Sequence, residues 1–70
     1  MKNNLEKLRK QSNLSQEELA EILKVSRQTI SSLENGRYNP SLLLAFKISD
    51  YFKLPIEEIF INEGENNEKR

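Results

Sequence analysis

Apolar residues recur at helical spacing, every three or four positions, from Leu5 to Ile61 of this chain. No stretch of four or more residues alternates between apolar and polar side chains, as a half-exposed β-strand would. The apolar segments are short, and turn-forming residues separate them. The sequence therefore predicts an all-α fold of short helices, without strands.

Capping residues locate the helix boundaries. Ser15 begins the segment "SQEE", in which Glu18 completes a capping box, and Ser26 is suited to cap the following helix. This third helix should end near Asn35, because Gly36 readily takes the left-handed conformation that closes a helix. The spacing therefore predicts two helices joined by a tight turn.

Three further helices complete the predicted fold. The first begins at Leu5, the fourth follows Ser41 and ends at residue 52 or 53, and the short fifth, "PIEEIF", has Pro55 in its first turn. The result is one compact five-helix domain over residues 1–61. Its predicted core consists of the apolar side chains on the inward helix faces: Leu5, Leu8, Leu14, Leu19, Leu23, Val25, Ile30, Leu33, Leu42, Ala45, Phe46, Ile48, Phe52, Leu54 and Ile59.

The last residues, 62–70, differ in composition from the rest of the chain. They contain no apolar side chain, so they have nothing to bury that would offset the entropy lost on ordering. We therefore expect a polar, disordered tail.

Composition argues against an enzyme. The 70 residues include no cysteine and no histidine, which removes the commonest nucleophile, general base and metal ligands. The remaining carboxylates are on an exterior helix face (Glu17, Glu18, Glu21) or are adjacent and point apart (Glu57, Glu58). We therefore predict no catalytic residues, no metal and no cofactor.

The longest apolar run, "LLLAF" at 42–46, is far too short to span a bilayer. A cytoplasmic protein with no membrane partner is expected. Eleven basic and eleven acidic residues cancel, but residues 1–40 carry seven Lys or Arg against five Glu, and residues 41–70 carry four against six. This weak polarity leaves nucleic acid possible as a partner for the N-terminal part.

The third helix has an unusual outward face. Ile30 and Leu33 define its inward stripe, whereas Gln28, Ser31, Ser32 and Asn35 lie opposite and Arg27 lies on the flank. Amides and hydroxyls donate and accept hydrogen bonds, as the base edges of a DNA major groove require. The pattern alone fits a weak surface helix equally well, because short helices with polar faces are common.

The wider motif favours DNA. "LSQEELAEILKVSRQTISSLENGRYNPS" closely resembles the Cro and lambda-repressor type of helix-turn-helix, the xenobiotic response element (XRE) family. The matching positions are Gln16, "LA" at 19–20, "VS" at 25–26, Ile30, "LENG" at 33–36 and "NPS" at 39–41. One departure is Lys24, where the family often has a glycine, so the turn needs a tolerated left-handed or adjusted backbone.

The resemblance implies a lambda-repressor-like fold and a regulator that binds double-stranded DNA, with helices two and three forming the helix-turn-helix. The third helix, about 27–35, would enter the major groove. By position, the implied base-reading residues are Arg27, Gln28, Ser31 and Ser32. The implied contacts to the DNA backbone are Gln16, Ser26, Asn35, Arg37, Tyr38 and Asn39. The resemblance also implies a structural ion pair between Arg9 and Glu34.

We further predict a repressor that binds a palindromic operator as a homodimer, with no small-molecule ligand implied. On the fourth helix, Leu44, Ile48 and Tyr51 form a second apolar stripe turned away from Leu42, Ala45, Phe46 and Phe52. The predicted dimer interface is Leu44, Ile48, Tyr51, Ile56, Phe60 and Ile61. Alternatively, Ile48 and Tyr51 pack under the C-terminal residues, which would leave Leu44 alone. The alternative function is a protein-interaction module of the same fold.

Overall fold

The computed structural model describes residues 2–61. Five helices and two short strands follow one another in the order β1 (Lys2–Asn3), α1 (Leu5–Gln11), α2 (Gln16–Leu23), α3 (Arg27–Glu34), α4 (Leu42–Phe52), α5 (Ile56–Ile59) and β2 (Phe60–Ile61). All five predicted helices are present. The predicted tail, residues 62–70, lies outside the described residues.

Three of the helices, α2, α3 and α4, are capped by serine side chains, as the sequence predicted. The hydroxyls of Ser15, Ser26 and Ser41 each accept a hydrogen bond from the backbone N–H three residues on, and Ser15 with Glu18 forms the full capping box. The turn between α2 and α3 has Lys24 at φ 63° and ψ 43°. The non-glycine residue in this turn therefore does adopt the left-handed conformation.

The two strands were not predicted. They pair antiparallel, with Lys2 opposite Ile61 and Asn3 opposite Phe60. The pairing continues in a hydrogen bond of 2.8 Å from the Asn4 backbone N–H to the Ile59 carbonyl. Strands of two residues are too short for side-chain alternation to show in a sequence. The pairing also ends α5 at Ile59, one residue before the predicted "PIEEIF" segment does.

The core lies between the helices. Its buried side chains are Leu5, Leu19, Ala20, Leu23, Ile30, Leu33, Leu44, Ala45, Ile48, Ile59 and Phe60, with Leu8, Leu14, Val25, Phe52, Leu54 and Ile56 packed partly buried against them. Ile30 and Leu33 are fully buried, so α3 is anchored by its apolar stripe and turns its polar face outward. Among the described residues, no helix combines the length and the apolar character needed to cross a membrane.

The predicted orientation of α4 is wrong in part: Ala45, Ile48 and Phe52 lie in or against the core as predicted, but Leu42 and Phe46 do not. Leu44 and Ile48 are 5% and 0% exposed, whereas Leu42 and Phe46, which were predicted to be core residues, are 68% and 51% exposed. Five consecutive apolar residues, 42–46, begin this helix. Its first turn is therefore apolar on every side, and periodicity alone cannot select the inward face.

The correction also removes residues from the predicted dimer interface. Leu44, Ile48 and Phe60 are buried within the single chain and have little surface to offer a partner. Tyr51 and Ile61 are exposed, and Ile56 is half-buried. Besides Tyr51, the exposed large apolar residues of α4 are Leu42, Leu43 and Phe46, none of which was predicted to lie in the interface.

Candidate nucleic-acid interface

Residues 24–26 connect α2 to α3. The Val25 backbone N–H donates to the Ala20 carbonyl at 3.0 Å, which closes the end of α2 before the new helix begins. Val25 itself packs against the core, and Ser26 caps α3. The two helices therefore form the helix-turn-helix arrangement that the sequence predicted.

The outward face of α3 presents polar side chains at two depths. Arg27 and Gln28 are exposed, whereas Ser31 and Ser32 are half-buried. Two long side chains thus project from the first turn, and two short hydroxyls lie closer to the body of the domain. Side chains of these different lengths can contact a partner surface that is not flat.

A shallow cleft of about 390 Å³ lies beside this face and is lined by Ser26, Gln28, Thr29, Ser32 and Tyr38. Tyr38 comes from the loop after α3 and is exposed. The structure therefore brings two predicted backbone-contact residues, Ser26 and Tyr38, next to two predicted base-reading residues. Thr29 was missed in the sequence, although its position three residues after the cap Ser26 was a usable signal. Its hydroxyl lies 2.9 Å from that of Ser26.

The predicted Arg9–Glu34 pair is present and well buried. Arg9 Nε donates to Glu34 Oε2 at 2.7 Å and Arg9 Nη2 donates to Glu34 Oε1 at 3.2 Å. The two side chains are 9% and 3% exposed. The hydrogen bonds to Glu34 raise the pKa of the Arg9 guanidinium above its ordinary value. The charges are therefore fixed in place, and α1 is tied to the C-terminal end of α3.

Gln16 belongs to the same network. Its Nε2 donates to Glu34 Oε1 at 3.0 Å, and its Oε1 accepts a long hydrogen bond of 3.4 Å from Arg27 Nη1. Gln16 was predicted as a DNA-backbone contact, and its connection to Arg27 was not foreseen. The side chain links the first residue of α2 to the first residue of α3.

The remaining predicted contact residues occupy the loop after α3. Asn35, Arg37 and Asn39 are exposed, and Asn39 also borders a groove with Pro40 and Leu42. Within residues 2–61 no group of three or more potential metal-ligating side chains is present. The site is a polar surface with two basic side chains, Arg27 and Arg37, at its edges.

Comparisons with known proteins agree with this geometry. A helix-turn-helix family model matches residues 5–59. The chain is 55% identical over 65 residues to an uncharacterized HTH-type transcriptional regulator of Methanocaldococcus jannaschii, covering 93% of this chain and 98% of the relative. It is 47% identical over 66 residues to YgzD of Bacillus subtilis, also described as an HTH-type transcriptional regulator, covering 94% of this chain and all of the relative.

A solved structure shares the fold. The crystal structure of a transcriptional regulator from Listeria innocua superposes with a TM-score of 0.75 at 25% sequence identity, covering 96% of this chain and 68% of that one. The family match spans both helices of the motif and nearly all of the described core. The chain therefore belongs to the XRE-type helix-turn-helix family of DNA-binding transcriptional regulators and has its lambda-repressor-like fold.

Proposed function

We propose that this regulator reads a specific double-stranded DNA sequence with α3 in the major groove. The observation that carries the proposal is the outward face of α3, where Arg27 and Gln28 are exposed beside the hydroxyls of Ser31 and Ser32. Arginine bonds guanine bidentately, glutamine bonds adenine in the same way, and serine bonds either. Protein-binding faces are instead enriched in aromatic side chains and depleted of serine.

The position of Arg27 supports this proposal. It is the first residue of α3, where the helix dipole has its positive end and a cation is unfavourable. A residue that breaks a local preference of this kind is expected at a functional site. A phosphate-lined groove in front of α3 would turn the mismatch into a favourable contact.

The backbone contacts are proposed for the residues around this helix. Gln16 is the first residue of α2 and Ser26 caps α3, and backbone N–H groups at both helix starts favour a phosphate. Further contacts are proposed along the following loop, from Asn35, Arg37, Tyr38 and Asn39. These contacts would fix the register of α3 on the duplex without reading its sequence.

We also propose that the protein acts as a homodimer on a palindromic operator. A single recognition helix reads few base pairs, whereas a twofold pair presents two such helices about 34 Å apart to half-sites one helical turn apart. Repression follows most simply, because a dimer bound over a promoter excludes other proteins by occupancy alone. A chromosomal target implies the cytoplasmic location expected from the sequence.

The dimer surface that we propose differs from the one predicted by the sequence. Leu42 and Phe46 project from α4, and beside them lies an apolar groove of about 320 Å³ lined by Asn39, Pro40, Leu42, Ala45, Ile56 and Phe60. In a twofold dimer, the projecting apolar side chains of each copy can fill the groove on the same face of the other copy. We therefore assign the contact to this face, without Leu44, Ile48 and Tyr51.

Sequence-specific binding is tested by gel-shift titration on a site selected from random DNA, or by footprinting upstream of the protein's own gene. Arg27→Ala and Gln28→Ala should each cost about 1–3 kcal/mol, because each removes one base contact. Lys7→Ala, which removes an exposed cation from α1, is the control and should leave base preference unchanged. Wild-type affinity in both α3 variants would refute the proposal.

Sedimentation at micromolar concentration tests the dimer. We expect a dimer for the wild type and a monomer for Leu42→Lys, because a buried cation opposes the contact. Ile22→Lys, a change at an exposed apolar residue of α2, is the matched control and should stay dimeric. A monomeric wild type, with operator binding intact, would favour an apolar partner protein on this face instead.

A further inference from the structure

We propose that Glu34, acting through the Gln16 amide, positions the Arg27 guanidinium and thereby sharpens its base preference. The inference rests on the proposed function, because it concerns how Arg27 reads DNA. It assigns Gln16 and Glu34 as positioning residues for base recognition, in addition to the phosphate contact proposed for Gln16 and the ion pair formed by Glu34.

The first step is the fixed position of the Glu34 carboxylate. Its Oε2 accepts from Arg9 Nε, and its Oε1 accepts from both Arg9 Nη2 and Gln16 Nε2. Arg9 is held in turn by a 2.7 Å hydrogen bond from Nη1 to the Leu14 carbonyl. With both side chains almost fully buried, the carboxylate has one well-defined orientation.

The second step is the orientation of the Gln16 amide. An ionised carboxylate accepts hydrogen bonds and donates none, so only the NH₂ end of Gln16 can face Glu34. The carbonyl end must then point to the opposite side, where it accepts from Arg27 Nη1 at 3.4 Å. A reversed amide would place its donors against the guanidinium, which has only donors to offer.

The third step concerns Arg27 itself. It is exposed and has a long side chain that would otherwise occupy many rotamers. A contact at one end restricts those rotamers before DNA arrives and reduces the ordering cost of binding. The 3.4 Å separation is a weak hydrogen bond, so the guanidinium can still leave Gln16 for a base.

The experiment measures relative affinity for all four base pairs at each operator position. The position at which Arg27→Ala abolishes preference identifies the base pair read by Arg27. Gln16→Met keeps the side-chain length and leaves the Arg9–Glu34 pair intact. We expect it to reduce preference at that position roughly threefold to tenfold, within the range of couplings between neighbouring side chains. Preference at the other positions should not change.

Two further variants sharpen the test. In Glu34→Gln the new amide can donate or accept, so the orientation of Gln16 is no longer fixed, and preference should fall at the same position. The control is Gln11→Met, which makes the same glutamine-to-methionine change at an exposed residue at the end of α1. It should leave the base preference unchanged at every operator position. Thermal unfolding of each variant separates an effect on stability from an effect on reading.

The outcomes are distinct. If Gln16→Met weakens all sequences equally and leaves the preference at that position unchanged, Gln16 is only a phosphate contact and the inference is wrong. If Glu34→Gln lowers the melting temperature alone, Glu34 is only a structural brace and the inference is equally wrong. A wild-type protein that enriches no sequence would instead refute the proposed function.

Discussion

α3 and α4 both begin behind a serine whose hydroxyl accepts from the third helical residue, yet they present opposite kinds of surface. The outward side chains of α3 are an arginine, a glutamine and two serines, and Arg27 is held by Gln16. Those of α4 include Leu42, Leu43 and Phe46, all more than half exposed. Polar side chains suit directional contacts, whereas exposed apolar ones suit burial against another surface.

The difference indicates how a domain of this size could carry the two proposed binding functions. Each helix keeps its own apolar anchor in the common core, Ile30 and Leu33 for α3 and Leu44 and Ile48 for α4. The two outward faces are therefore free to differ without changing the fold. Two pairs of substitutions test this separation, and an exposed ion pair then provides a baseline, in order of decreasing expected effect.

The inward and outward faces of α4 should differ sharply in their contribution to stability. Ile48→Ala should destabilise the fold by about 2–5 kcal/mol, because it leaves a cavity in the core. Leu42→Ala, the same kind of truncation on the exposed face, should change stability by less than about 0.5 kcal/mol. Urea unfolding at a concentration where the chain is monomeric measures both. Equal losses would mean that the two faces of α4 are not distinct.

The two capping serines provide an intermediate effect. Ser26→Ala and Ser41→Ala should each cost about 1 kcal/mol of folding stability, because each removes the acceptor for one helical N–H. Only Ser26→Ala should also weaken DNA binding, since Ser26 adjoins the proposed reading face. Thermal unfolding and gel-shift titration of both variants make the comparison. If Ser41→Ala lost DNA affinity at a protein concentration where the variant is fully dimeric, the two surfaces would not be separate.

The smallest effect is expected from an exposed ion pair on α1, which serves as a baseline for the buried Arg9–Glu34 pair. Lys10 Nζ lies 3.0 Å from Glu6 Oε2, and its hydrogen bond and charge lower the pKa of the Glu6 carboxyl. The resulting stabilisation is present above the ordinary pKa of a glutamate and is lost as the pH falls through the lowered folded-state value.

Thermal unfolding between about pH 7 and about pH 3, at low and at high salt, measures this contribution. Glu6→Gln should remove a small part of the pH dependence, and high salt should remove the same part in the wild type. A salt-independent effect of Glu6→Gln would mean that the pair is less exposed than the structure has it.

Most of the fold could be predicted from the sequence because its signals are local. Ser15, Ser26 and Gly36 mark helix ends through contacts within a few residues. The polar face of α3 was predictable because only Ile30 and Leu33 compete to point inward.

What could not be predicted depends on contacts between distant residues. The inward face of α4 is selected by packing against other helices, since residues 42–46 are all apolar. The strand pair joins residues almost 60 positions apart and shows no side-chain pattern. Likewise, the Gln16–Glu34 bond connects two polar residues that the sequence presents as independent.

The strand pair also has a mechanical consequence. Because Lys2 lies opposite Ile61 in an antiparallel ribbon, the chain enters and leaves the domain at the same end. Asn3 Nδ2 further ties this end to the Leu33 carbonyl of α3. A tension applied to the two ends would first open the outer rung, Lys2 with Ile61, and would then reach α3 through the Asn3–Leu33 hydrogen bond. The domain can therefore be inserted into a loop of another protein through one end, but strain in that host would be transmitted to α3.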